Sequence, residues 1–174
     1  MTLPPHAGRM EASRPRPSPR EMVNLLPARQ RHLADVPAGG AELLALQATV
    51  WDTARDPQLL ELCRLRVAAL LRDEDASQWR SPPATAAGLD EGKVDALEDW
   101  RSSPLFDARE RAYIDFTEQF VTSVRHVSDE QVAALCAHDD DESVREFVSA
   151  LYALETIQRA ALVSTTIFLP SAGA

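Results

Sequence analysis

Lysine is nearly missing from this 174-residue chain: Lys93 stands alone against seventeen arginines, a bias that genome composition explains more simply than function does. Positive charge is short altogether, with a net of −9, and a surface of that sign repels the phosphates a nucleic-acid binder must attract. No apolar run reaches the eighteen residues of a membrane span, and the N-terminus lacks the continuous apolar core of a secretory signal, so a cytoplasmic protein with no membrane partner is expected. The two cysteines, Cys63 and Cys136, are too few and too far apart for a metal knuckle or a redox pair, and both are expected as free thiols. Glycine is sparse, aromatics are few and β-branched residues never alternate, which argues against strands. What remains is rich in Leu and Ala, and the expected fold is all-α, a compact helical bundle.

The length suits one domain with a sizeable core. Residues 1–19, with prolines at 4, 5, 15, 17 and 19, hold too little apolar content to offset the entropy of ordering and are expected as a disordered leader to a single domain over 20–174. The first thirty-five residues carry six arginines against Glu11, Glu21 and Asp35, so a +3 segment precedes a −12 remainder. Pro27 should break Glu21–Ala34 into two short helices, and Ala38-Gly39-Gly40 should separate them from a helix ending near Arg55, in which Trp51 is most simply core.

Asp56 can cap and Pro57 fits a first helical position, so a central helix is expected over 57–72. Its apolar residues point nearly all round, interrupted by Glu61, Arg64, Arg66 and Arg72, and a carboxylate in so buried a helix requires a partner. A second helix is expected over Ala76–Ser81, kinked or ended by Pro82-Pro83, with Gly88 as a later C-terminal cap. Asp90 and Asp107 should each cap a helix, the second carrying Tyr113, Ile114, Phe116, Phe120 and Val121 on one face. Ser128 and Gln131 have capping-box spacing. The acidic run Asp139–Glu142 reads as a complement to the dipole of a closing helix from Val144 to about Thr166, with metal binding a distant second. His32, His126 and His138 share no ligand spacing, and no metal or cofactor is expected.

The run Leu65-Arg66-Val67-Ala68-Ala69-Leu70, the spacing of Pro82, Ala84 and Gly88, and the Ser103-Pro104-Leu105-Phe106 turn before Glu110-Arg111-Ala112 resemble the central helical hairpin and following helix of the alkylhydroperoxidase-D-like and carboxymuconolactone decarboxylase family. The resemblance implies that family's helical bundle, a homo-oligomer, and peroxidase (peroxiredoxin-type) or decarboxylase chemistry. It also implies where the site residues should stand. The redox members' two cysteines and later histidine fall at Asp73, Ala76 and Arg80, and their relay glutamate falls at Glu61. Only the glutamate is retained, and neither Asp73 nor Ala76 can supply a thiolate. Arginine stays protonated near neutral pH, so Arg80 cannot replace a histidine as a base, although it can bind a small anion.

Two functions compete. One is a catalytically silent, non-redox ligand-binding or structural oligomeric module with a degenerate site. The other is an enzyme with a rebuilt site for a small carboxylate or lactone, Arg80 holding the substrate and Glu61 or Asp73 serving as acid or base. In the silent reading Glu61 and Arg80 satisfy each other, and the resemblance implies that they pair across the hairpin, the retained member of the family's relay facing the replaced one.

Overall fold

The computed structural model of the protein describes residues 26–37 and 39–168, so the expected leader and the residues Met22, Val23 and Leu25 lie outside it. The described residues form α1 (Ala28–Arg31), α2 (Gly40–Thr53), α3 (Pro57–Leu71), α4 (Glu74–Gln78), α5 (Pro82–Ala86), α6 (Glu91–Asp95), α7 (Ala108–Ser123), α8 (Asp129–Cys136) and α9 (Asp141–Phe168), with single 3-10 turns between some of them and no strand. The all-α expectation holds.

The start of α3 follows directly from its sequence. The Asp56 carboxylate accepts the Leu59 amide at 3.0 Å, and Pro57 occupies a position where no donor is needed. At the other end Arg72 takes the left-handed conformation, φ 55°, while the Arg72 and Asp73 amides close back on Ala69 and Ala68. Between these ends Leu59, Leu62, Cys63, Leu65 and Val67 are buried against Tyr113, Ile114 and Phe116 of α7 and Leu151 of α9. Leu60 on another face of α3 meets Val50 and Trp51 of α2 and Leu154 of α9. A helix packed on both sides in this way must be apolar nearly all round, which is the pattern its sequence carries. Trp51 is core, as expected.

The capping signals hold as well. Asp107 with Glu110, and Ser128 with Gln131, form reciprocal capping boxes. Gly88 has φ +87° and follows α5 as its terminating residue. Lys93 lies 2.6 Å from Glu110, tying α6 to the first turn of α7.

One expectation fails in a way that matters for the site. No helix spans Ala76–Ser81. Instead α4 ends at Gln78, Trp79 to Ser81 run extended, and the two prolines open α5, whose N-terminus Ser81 caps. Proline at the first helical position loses no hydrogen bond and brings a suitable φ, so Pro82-Pro83 is a start signal here and not a stop.

Candidate functional site

The residues that the sequence marks as a site lie where α3 meets the 73–81 segment, but they are not joined as expected. Glu61 is fully buried, and its partner is Arg64, three residues on along the same helix and also fully buried. Arg64 Nε donates to Glu61 Oε2 at 2.8 Å and Nη2 to Oε1 at 2.7 Å, the two-pronged geometry that suits a guanidinium to a carboxylate. The same guanidinium donates to the carbonyls of Ala76 at 3.0 Å and Trp79 at 2.9 Å, and lies over the Trp79 ring at 4.9 Å. Glu61 Oε1 also accepts the Ser81 amide at 3.1 Å. One ion pair therefore stitches the whole 73–81 segment to the central helix.

The expected Glu61–Arg80 pair is absent. In an extended segment successive side chains point to opposite sides, so buried Ser81 faces Glu61 while Arg80 turns outward. Arg80 instead meets the Glu91 carboxylate at 3.2 Å and donates to the carbonyls of Ser77 at 2.7 Å and Trp79 at 3.0 Å. An anion would have to displace Glu91 to use it. Asp73 is buried but occupied as the cap of α4, accepting the Ala76 amide at 3.3 Å, with Arg29 3.7 Å from its Oδ1. The three residues thus cluster at one seam without pointing into a common open space.

Cys63 sits at the middle of α3 with its thiol pushed up to about 12, chiefly by burial, against a smaller opposing effect of Thr117. Cys136 is exposed, and both thiols are free. Treatment with iodoacetamide near pH 8 should therefore label one thiol in the native protein and two after unfolding in guanidinium. Comparable native rates at both sites, read by mass spectrometry, would contradict the burial of Cys63.

The open space lies elsewhere. A cleft of about 820 Å³ runs between α2, the start of α3 and α9, with Leu46, Val50, Leu59, Leu60, Phe147 and Ala150 among its walls. At one end four residues from distant parts of the chain come together. Arg109, on the first turn of α7, binds Asp139 through Nε at 2.6 Å and Asp56 through Nη1 at 2.7 Å. One turn on, the Tyr113 hydroxyl donates to Asp139 Oδ2 at 2.8 Å, and the Arg109 guanidinium lies 5.2 Å from the Tyr113 ring centre. Asp139 is not a helix-dipole residue. Asp140 caps α9 through the Ser143 amide, which leaves Asp139 one position earlier and free to face α7. The signal that could have found the site is the i, i+4 spacing of Arg109 and Tyr113, which places both on one face of α7.

These contacts set the charges. Burial first, then the bond to Asp139, push the Tyr113 hydroxyl well above its ordinary value. Burial alone would raise the Asp139 carboxyl, but the bonds from Arg109 and Tyr113 outweigh it and hold the group below the usual carboxylate range. Burial likewise opposes the Arg109 charge and is outweighed by Asp139 and Asp56, so its pKa rises. A depressed carboxylate contributes stability above its unfolded pKa of roughly 3.9 and loses it as pH falls through the lower folded value. Asp139→Asn should therefore lower the urea midpoint at pH 7 more than at pH 3. An equal loss at both pH values would count against a charge-based role.

Among the described residues no three His, Cys, Asp or Glu side chains are grouped to hold a metal ion, and no helix is long and apolar enough to cross a membrane. No family model matches the chain, and no curated protein does. Among solved structures it is similar to the crystal structure of a protein of unknown function from Agrobacterium tumefaciens, proposed there to be the antioxidant defence protein AhpD. The TM-score is 0.68, with 20% identity, and the match covers 78% of this chain and 93% of the other. Identity at that level speaks for architecture alone, and the chain accordingly has the all-α, AhpD-like fold.

Proposed function

We propose that this protein is a non-redox, ligand-binding module of the AhpD-like fold, working in the cytoplasm as a homo-oligomer. The observation that carries the reading is the Glu61 carboxylate. Both its oxygens are taken by Arg64, one of them also by the Ser81 amide, and it is sealed from solvent. A group so held serves as a structural tie and not as a proton relay. Asp73 and Ala76 bring no thiol to the place where the resembled redox proteins have theirs, and the buried Cys63 thiol stays protonated near neutral pH. The rebuilt-enzyme alternative has less in its favour, since Arg80 is bound to Glu91 and Glu61 is fully committed.

The assembly part of the reading rests on the resemblance to a family whose members are oligomers. The deciding experiment is a hydroperoxide-consumption assay with dithiol reductant. No turnover above the buffer rate is expected; activity that disappears in Cys63→Ser or Cys136→Ser would overturn the non-redox reading. Light scattering at micromolar concentration tests the assembly, and a monomeric mass would remove that part of it.

A further inference from the structure

The cleft between α2, α3 and α9 takes no part in the Glu61–Arg64 tie, and its volume falls within the roughly 300–1,000 Å³ typical of small-molecule sites. Its walls are mainly apolar, and its charged groups fall into two sets: a rim of Arg55, Arg145, Glu142 and Glu146, whose charges cancel, and the Arg109 cluster at the other end, which is left to orient a ligand.

The balance of charge at that end decides what can enter. Arg109 stands between two carboxylates, Asp56 and Asp139, so the cluster carries a net negative charge. An anion would meet two like charges for one opposite charge. A cation would find both carboxylates already bonded, since Asp56 serves the Leu59 amide and Arg109, and Asp139 serves Arg109 and Tyr113. What is left is neutral hydrogen-bonding capacity. A guanidinium has five N–H groups, and Arg109 directs bonds from Nε, Nη1 and Nη2 to its two carboxylates, leaving one hydrogen on each terminal nitrogen. The Tyr113 oxygen gives its single proton to Asp139 and keeps its lone pairs.

We infer that this cleft binds an uncharged, largely apolar molecule bearing a carbonyl or hydroxyl oxygen, which accepts from Arg109, a hydroxyl also donating to the Tyr113 oxygen. The inference rests on the reading of the protein as a ligand-binding module. Access needs little energy. The rim is bridged by Arg55, which leaves the α2–α3 connection to reach Glu146 and Ser143 on α9, and all the charged groups of that bridge are substantially exposed. Exposed pairs of this kind contribute little and open readily.

The test uses the full chain and a matched set of ten-carbon probes, 2-decanone, 1-decanol, decanoate and decylamine, titrated calorimetrically at pH 7. The two neutral probes should bind at least about tenfold tighter than the two charged ones, because the charged heads lose their hydration without gaining a partner. 2-Octanone should bind roughly tenfold more weakly than 2-decanone if the chain lies against the apolar walls. Ala150→Trp, which fills the cleft, should abolish binding of the neutral probes, with Leu46→Trp at an exposed wall position as a second blocking variant should the first fail to fold. Tyr113→Phe should weaken 1-decanol and spare 2-decanone.

Decanoate or decylamine binding more tightly than the neutral probes, and lost on blocking, would overturn the ligand class while leaving a ligand-binding module. No binding by any probe, or binding indifferent to both blocking variants, would overturn the site. Neither result bears on thiol chemistry, which the hydroperoxide assay decides separately.

Discussion

Replacing Arg64 with Met should destabilise the protein by about 3–5 kcal/mol, the range found when one partner of a buried ion pair is removed and the other charge is left uncompensated. Arg64 is 1% exposed and Glu61 is 0% exposed, so neither charge can recover water by a rotamer change. The loss extends beyond the pair, because the Ala76 and Trp79 carbonyls each lose the bond from Arg64, the second keeping Arg80 as a donor, and two of the ties between the 73–81 segment and α3 are cut. For a domain whose total stability is about 5–15 kcal/mol, this is a large fraction. Glu61→Gln combined with Arg64→Met should be much less harmful than the sum of the single changes, with a coupling of about 2 kcal/mol or more in denaturant unfolding. The parallel cycle on Glu61 and Arg80 should show coupling near zero. Additive effects in the first cycle would sink the assignment of Arg64 as the partner of Glu61.

That pairing was within reach of the sequence. Glu61 and Arg64 stand three apart on a helix whose apolar pattern demands burial, and neighbours at that spacing share a face. The resemblance to a redox hairpin pointed to Arg80 instead, on the assumption that a second helix runs back along the first. Pro82 and Pro83 upset that geometry by starting α5, and the extended Trp79–Ser81 segment turns Arg80 to the outside. Local signals such as Asp56-Pro57, Asp107 with Glu110 and Ser128 with Gln131 were legible because each needs only its own few residues. The Arg109, Tyr113, Asp139 and Asp56 cluster was not, since its members lie up to 83 positions apart and meet only after α3, α7 and α9 have packed. Arg109 in particular has no pattern of its own beyond its spacing to Tyr113. The acidic run around Asp139 also offered a sufficient local explanation in the helix dipole, which concealed the longer-range contact.

Gly40→Ala is the second change expected to have a large effect, and its direction comes from weighing two opposed contributions. Alanine favours a helix over glycine by up to about 1 kcal/mol, and Gly40 is the first residue of α2, where little of that gain applies. Against it, a Cβ at this position would lie 1.8 Å from the Leu33 carbonyl oxygen and 3.1 Å from Val36 Cβ. A carbonyl belongs to the backbone and cannot swing away as a side chain does, so the whole 32–36 turn would have to retreat. Leu33 is buried with Leu44, Ile157 and Ala161, and that cluster anchors the turn to α2 and α9. Overpacking a tight contact costs typically about 1–3 kcal/mol, and a clash with backbone belongs at the upper end. A net loss of about 2–3 kcal/mol is therefore expected, with faster amide exchange over residues 28–36 than elsewhere. Gly92→Ala is the control, because Gly92 is exposed within α6 and its nearest atom is the Asp90 carboxylate at 3.1 Å, which can shift. That variant should be neutral or up to about 1 kcal/mol more stable. Equal unfolding midpoints for Gly40→Ala and Gly92→Ala would show that α2 does not need its close approach to the Leu33 carbonyl.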